Sequence, residues 1–152
     1  MSFKYIRNIP SAEEIISEIP LPKELGILKQ KRDEEIKAVI EKSSNKFILI
    51  IGPCSAHDED AVCDYIGRLA KVQEKVQEKI IIIPRIYTNK PRTTGEGYKG
   101  MLHQPDPMDK PNILEGLKAI RKMHIRAISE SYLTPADEML YPENYTYLQD
   151  VL

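Results

Sequence analysis

The spacing of hydrophobic and polar positions changes several times along the chain. Ser11 followed by Glu14 forms a capping-box pattern, which predicts a short helix opening there. Pro20 and Pro22 close it. Leu25, Leu28, Ile36, Val39 and Ile40 then fall on one face of a helix predicted from about Glu24 to Glu41. Its other face carries Lys29, Lys31, Arg32, Asp33, Glu34 and Glu35, and reads as solvated surface. At Phe47–Ile51 the periodicity gives way to a continuous apolar run, closed by Gly52-Pro53. Such a run predicts a strand buried on both faces, as in a parallel sheet.

Asp58 is placed to cap the next helix, predicted from about Glu59 to Lys79, with Val62, Tyr65, Ile66, Leu69, Val72 and Val76 inward. Ile80–Ile83 begins a second buried strand that continues to Tyr87. The three elements make a β-α-β unit, expected to be parallel with a right-handed crossover. Residues Asn89 to Pro111 show neither period and are rich in Pro, Gly and Thr. A loop of that length predicts a functional segment. Asn112 and Glu115 repeat the capping pattern for a helix carrying Leu114, Leu117, Ile120 and Ile128 inward. A weaker strand is expected at about Leu133–Met139, then a last helix with Pro142 as its first residue. This alternation defines an α/β fold with a parallel sheet.

Composition narrows the functional classes. The chain has 152 residues, 22 Lys+Arg against 23 Asp+Glu and a formal charge of −1. That balance gives no general basis for nucleic-acid or anionic-membrane binding. No apolar run approaches the ~20 residues that span a bilayer, and Met1–Tyr5 has no apolar signal core. Cys54 and Cys63 make neither a disulfide framework nor a paired zinc motif. A reduced, cytoplasmic protein is expected.

Candidate chemistry gathers after the first two strands. Gly52-Pro53-Cys54-Ser55-Ala56-His57-Asp58 follows the first, and Arg85 to Thr94 ends the second. Ligands of α/β folds collect at the carboxyl ends of parallel strands, so both clusters should face one site. Arg85, Lys90, Arg92 and Lys99 supply cations and Thr93 and Thr94 hydroxyls, a set suited to a phosphate or sugar phosphate. Cys54 reads either as a small apolar residue or as a metal ligand or catalytic thiol, and His57 as its metal partner or as a capping residue. His103 is placed to touch a substrate, whereas Cys63 and His124 read as packed structural residues. Gly95-Glu96-Gly97-Tyr98-Lys99-Gly100 matches GxGxxG formally. It lacks the preceding strand and following helix of a dinucleotide site.

These runs together resemble the class I 3-deoxy-D-arabino-heptulosonate 7-phosphate (DAHP) synthases. The residues concerned are Ile51–Asp58, Arg85-Ile86-Tyr87, Lys90–Thr94 and Gly97–Gly100. The resemblance runs from about Lys46 to Leu152, more weakly before. It implies a TIM-type (β/α)8 barrel, of which this chain would carry the first three β/α units as an incomplete barrel. Residues 1–45 would be an N-terminal helical extension and 46–152 the partial barrel. It implies condensation of phosphoenolpyruvate with D-erythrose 4-phosphate to DAHP and phosphate, the first step toward chorismate and the aromatic amino acids. By this resemblance Cys54 is a metal ligand for a divalent ion (Mn, Fe, Co or Zn). Arg85 binds phosphoenolpyruvate, and Lys90, Pro91, Arg92 and Thr93 hold erythrose 4-phosphate, with Lys90 and Arg92 catalytic. Glu138 matches a glutamate near the end of the third strand.

The family's remaining metal ligands and phosphoenolpyruvate contacts lie in later strands. The 152-residue chain alone is therefore expected to be inactive, and to form a homo-oligomer or assemble with the missing C-terminal part. The alternative is a non-catalytic oxyanion-binding or regulatory module that pairs with a full-length paralogue.

Overall fold

The computed structural model describes residues 8–92 and 94–152. Helix α1 (Ala12–Glu18) opens with the predicted capping box, Ser11 and Glu14 each accepting from the other's backbone N–H. Helix α2 (Lys23–Ile40) leads to strand β1 (Phe47–Ile51), and helix α3 (Glu59–Val76) returns the chain to strand β2 (Ile80–Ile86). Helix α4 (Ile113–Ser131), strand β3 (Ala136–Asp137) and a 3₁₀ helix (Pro142–Tyr147) complete the order. Asp58 caps α3 by accepting from Ala61 N–H, and Asn112 caps α4 by accepting from Glu115 N–H. The sheet is parallel, ordered β1-β2-β3 and open. Phe47 pairs with Ile80 and Ile51 with Pro84, while β3 meets β2 only at Arg85–Ala136 and Ile86–Asp137.

The short β3 departs from the strand expected at Leu133–Met139, and the geometry of β2 gives a reason. Phe47 N–H donates to Lys79 O, so alternate β2 residues from Lys79 face β1, and Ile80 and Ile82 face the other edge. Side chains occupy that edge. The Gln73 amide donates to Ile80 O (2.8 Å) and its carbonyl accepts from Ile82 N–H (2.6 Å), while Arg32 donates to Ile82 O (2.9 Å). Arg32 is therefore buried, not part of a solvated face. Gln73 takes an inward position that the periodicity assigned to its neighbour Val72, which is exposed.

The core joins α3, α4 and the β2 face through Val62, Ile66, Ile86, Leu117, Ile120 and Ile128. Ile81–Ile83 are buried as expected. β1 is not: Phe47 is 75 % and Ile50 57 % exposed. β1 has β2 along one edge, and α3 packs over β2 and on α4 instead of covering β1, so the predicted two-faced burial fails there. The C-terminal segment is a 3₁₀ helix where an α-helix was expected, with Pro142 in its first turn.

Candidate functional site

The carboxyl ends of β1 and β2 meet because residue 52 has no side chain. A Cβ on Gly52 would lie 1.8 Å from Arg85 O. This closeness brings Pro53 O within reach of Arg85, whose guanidinium donates to it at 2.9 Å. The same guanidinium donates to Glu138 at 2.7 Å and lies 5.0 Å from the Tyr87 ring centre. Three contacts thus fix the planar fork of Arg85 at the end of its strand.

The Cys54 loop is tied to the same place, since Ala56 N–H donates to Tyr87 O at 3.0 Å. Lys90 then crosses to it. Its ammonium donates to Cys54 Sγ at 3.0 Å and to Cys54 O at 3.1 Å. Cys54 is exposed, and its thiol is held below the ordinary range, first by this hydrogen bond and then by the Lys90 charge, with Arg85 and Arg92 adding smaller contributions. Cys63 behaves oppositely: burial pushes it up to about 11. The two cysteines thus differ in surroundings, Cys54 exposed beside Lys90 and Cys63 buried in the core.

After Lys90 the chain turns into a loop without regular structure. Lys90 N–H donates to Lys99 O (3.0 Å) and Arg92 Nε donates to Tyr98 O (2.8 Å). Gly100 has φ +97°, and a Cβ there would come within 2.4 Å of Thr88 O, so only glycine lets the loop close on the end of β2. A cavity of about 310 Å³ opens here, lined by Lys90, Arg92, Lys99, His103 and Tyr141 among others. Burial, with a smaller contribution from Lys99, lowers the pKa of His103, which favours its neutral form. Its ring lies 5.7 Å from Tyr141, and His57 stands edge-on to Tyr98 at 6.1 Å. Burial raises the Tyr98 hydroxyl to about 12.

Of the predicted site residues, Cys54, Arg85 and Lys90 converge, and Lys90, Pro91 and Arg92 line the cavity. Thr93 lies outside the described residues. The GxGxxG run is a loop with neither strand directly before nor helix directly after it. Among the described residues no group of three or more His, Cys, Asp or Glu could hold a metal ion. Cys54 offers one soft donor, short of the three or four that protein metal sites use. No helix among the described residues is long and apolar enough to cross a membrane.

The sequence reading gave Tyr98 no role within its motif, and missed Asp137, whose carboxylate accepts from Thr88 N–H at 3.3 Å and Thr88 Oγ1 at 2.6 Å. The Ala136-Asp137-Glu138 run carries both acidic groups, but alternation alone does not say that Asp137 turns inward and Glu138 outward.

The chain resembles proteins of one kind. It is 37 % identical over 120 residues to the phenylalanine-inhibited phospho-2-dehydro-3-deoxyheptonate aldolase of Saccharomyces cerevisiae, covering 79 % of this chain and 32 % of that protein. It is 32 % identical over 146 residues to the phospho-2-dehydro-3-deoxyheptonate aldolase of Corynebacterium glutamicum, covering 95 % of this chain and 39 % of that protein. The solved phospho-2-dehydro-3-deoxyheptonate aldolase of Francisella tularensis superposes with a TM-score of 0.89 at 30 % identity, over 99 % of this chain and 44 % of that one. The chain thus spans well under half the length of the relatives it matches. Residues 27–152 match the DAHP synthetase I family, and the chain belongs to that family.

Proposed function

We propose that this chain forms the first three β/α units of a DAHP synthase barrel, and that the whole protein condenses phosphoenolpyruvate with erythrose 4-phosphate to DAHP and phosphate. This is the first step toward chorismate and the aromatic amino acids. The observation that carries the reading is the convergence of Arg85, Lys90 and Cys54 at the carboxyl ends of two parallel strands in a chain of this family. Arg85 offers a planar fork to the carboxylate or phosphate of phosphoenolpyruvate, and Lys90 a point charge. Lys90, Pro91, Arg92 and Thr93 would hold the phosphate end of erythrose 4-phosphate, with Lys90 and Arg92 neutralising charge on the reacting groups.

Cys54 would give one thiolate to a divalent Mn, Fe, Co or Zn ion, the further donors coming from later strands of the proposed barrel. Its depressed thiol and exposed sulfur suit that role. The exposed β1 supports assembly with further strands of the barrel, or with a second copy, in the cytoplasm.

The test is loss of phosphoenolpyruvate absorbance with erythrose 4-phosphate and Mn²⁺. The purified 152-residue chain is expected to show no turnover alone, and turnover when a polypeptide supplying the remaining barrel of a relative is added. Lys90→Ala in the first piece should abolish that gain. Phosphate binding without any restored turnover would instead favour the non-catalytic oxyanion-binding module.

A further inference from the structure

One short segment, Tyr87 to Lys90, carries both halves of the site. Tyr87 O accepts from Ala56 N–H and so holds the Cys54 loop. Thr88 O accepts from Leu102 N–H (3.2 Å), and Lys90 N–H donates to Lys99 O, which together hold the cation loop. The backbone ladder between β2 and β3 ends at Ile86–Asp137, before this segment begins. Beyond the ladder, what ties the segment to β3 is a side chain. One oxygen of Asp137 accepts from Thr88 N–H and the other from Thr88 Oγ1. Thr88 and Asn89 are each 1 % exposed, and the Asp137 side chain likewise 1 %.

A carboxylate so buried is costly unless its oxygens are used. Here both oxygens bind the residue two positions before Lys90. Behind the carboxylate stands His124 of α4, its Nε2 3.8 Å from Asp137 and its Nδ1 2.7 Å from Ile120 O. The Ile120 carbonyl can only accept, so Nδ1 carries the proton of that bond. Nε2 makes no hydrogen bond across that distance, so the clamp is formed by Asp137 and Thr88.

We propose that Asp137 is a positioning residue: its two-oxygen clamp on Thr88 sets where the Lys90–Arg92 loop and its ammonium stand over Cys54. The clamp itself stands on the geometry above. Its consequence for ligand binding rests on the anion-site reading, so the two are measured separately.

The first measurement is amide hydrogen exchange, by NMR, on the 152-residue chain. Asp137→Ala should lower protection of the Lys90 and Leu102 amides on the order of tenfold or more, as loss of a charge-assisted hydrogen-bonded clamp implies. Ile66→Val serves as a control that destabilises the core without touching the clamp. Val62 and Ile83 amides should change no more in Asp137→Ala than in Ile66→Val. Asp137→Asn keeps an acceptor for Thr88 N–H and can bond its hydroxyl, so it should stay within about twofold of wild type. Should Asp137→Ala fail to fold, Thr88→Val removes one arm of the clamp and should produce the same local loss, rescued by Thr88→Ser.

The second measurement is the affinity of inorganic phosphate in the same variants, expected to fall about fivefold or more in Asp137→Ala and to persist in Asp137→Asn. The positioning role is overturned if Lys90 and Leu102 lose no more protection than the control amides, or if Asp137→Asn behaves like Asp137→Ala. A wild-type chain that binds no phosphate overturns the anion-site reading instead, and the exchange result still decides the clamp.

Discussion

Replacing Arg121 by Met should cost about 3 kcal/mol of stability, and the structure sets that figure. Arg121 is fully buried in α4. It meets Asp150 with two parallel bonds of 2.6 and 2.7 Å, donates through Nε to Ile19 O at 2.6 Å, and through a further N–H to Tyr147 O at 3.0 Å. One guanidinium therefore joins the end of α1, α4 and the C-terminal 3₁₀ segment. Breaking a buried ion pair from one side costs about 3–5 kcal/mol, because the other partner keeps its burial penalty. The Asp150 side chain is 30 % exposed and can partly rehydrate, which places the loss at the lower end. Methionine recovers some packing in the vacated space but leaves two carbonyls without their donor. Against a total of about 5–15 kcal/mol this is a large fraction, and at roughly 2–4 °C per kcal/mol it lowers Tm by about 6–12 °C. Urea unfolding of Arg121→Met and Asp150→Leu, singly and together, measures it. The double variant should lose less than the sum of the singles, since each single strands the other's partner. A loss below about 1 kcal/mol in Arg121→Met at unchanged m-value, or strict additivity, would refute the reasoning.

Four further outcomes follow from the same geometry. Iodoacetamide should modify Cys54 well before Cys63, and Lys90→Met should slow Cys54 alkylation near pH 7 by returning its thiol toward the ordinary range; equal rates in the variant and the parent would contradict this. Burial keeps His124 neutral against the opposing pull of Asp137, so the folded form binds fewer protons than the unfolded one. Stability should then fall as pH drops below about 6.5, by at most ~1.4 kcal/mol per pH unit for this group, and His124→Gln should flatten urea midpoints compared between pH 7.5 and 5.5. Ile50→Lys on the exposed β1 should reduce self-association seen by sedimentation velocity, and an unchanged distribution would remove β1 from the contact. Glu138→Gln frees Arg85 from a partly exposed ion pair, and should tighten inorganic phosphate binding by up to about fivefold in calorimetric titration.

The helix starts were legible because capping is local. Ser11 with Glu14, Asp58, and Asn112 with Glu115 each satisfy donors within three residues, a distance that sequence reports directly. The parallel order of β1 and β2 was legible from two apolar runs flanking an amphipathic helix. The surroundings of β1 were not, because an apolar run states what a strand can bury and not what covers it. Arg32 and Gln73 were hidden for another reason. Their polar groups meet backbone atoms of β2, and for Arg32 that partner lies fifty positions away in the chain. Helical periodicity sorts residues by face and cannot see an open strand edge. The site was legible as a set of residue types at two strand ends. Its clamp was not, since Thr88 follows β2 and Asp137 lies in β3, 49 positions on, with no spacing to link them.

The way the cations are held is what would let one site both depress a thiol and attract the anion proposed for it. Lys90 is engaged by Cys54 O and Sγ, Arg92 by Tyr98 O, and Arg85 by Pro53 O as well as by Glu138. Carbonyl oxygens orient these groups without neutralising them, so their positive field persists at the strand ends. Glu138 is the carboxylate among these partners, and its side chain is 53 % exposed, where an incoming anion can compete with it. The field that depresses the Cys54 thiol is therefore the same field offered to a phosphate. Its geometry is also set beforehand: Gly52 and Gly100 allow the close backbone approaches, and the bonds from Ala56, Lys90 and Leu102 fix the loops. Ordering that is complete before a ligand arrives does not have to be supplied by binding. Under the proposed anion-site reading Lys90 would serve both roles at once, because its ammonium touches the sulfur and its side chain lines the cavity. A substitution there must shift thiol reactivity and anion affinity together, whereas one at Glu138 acts chiefly on the anion.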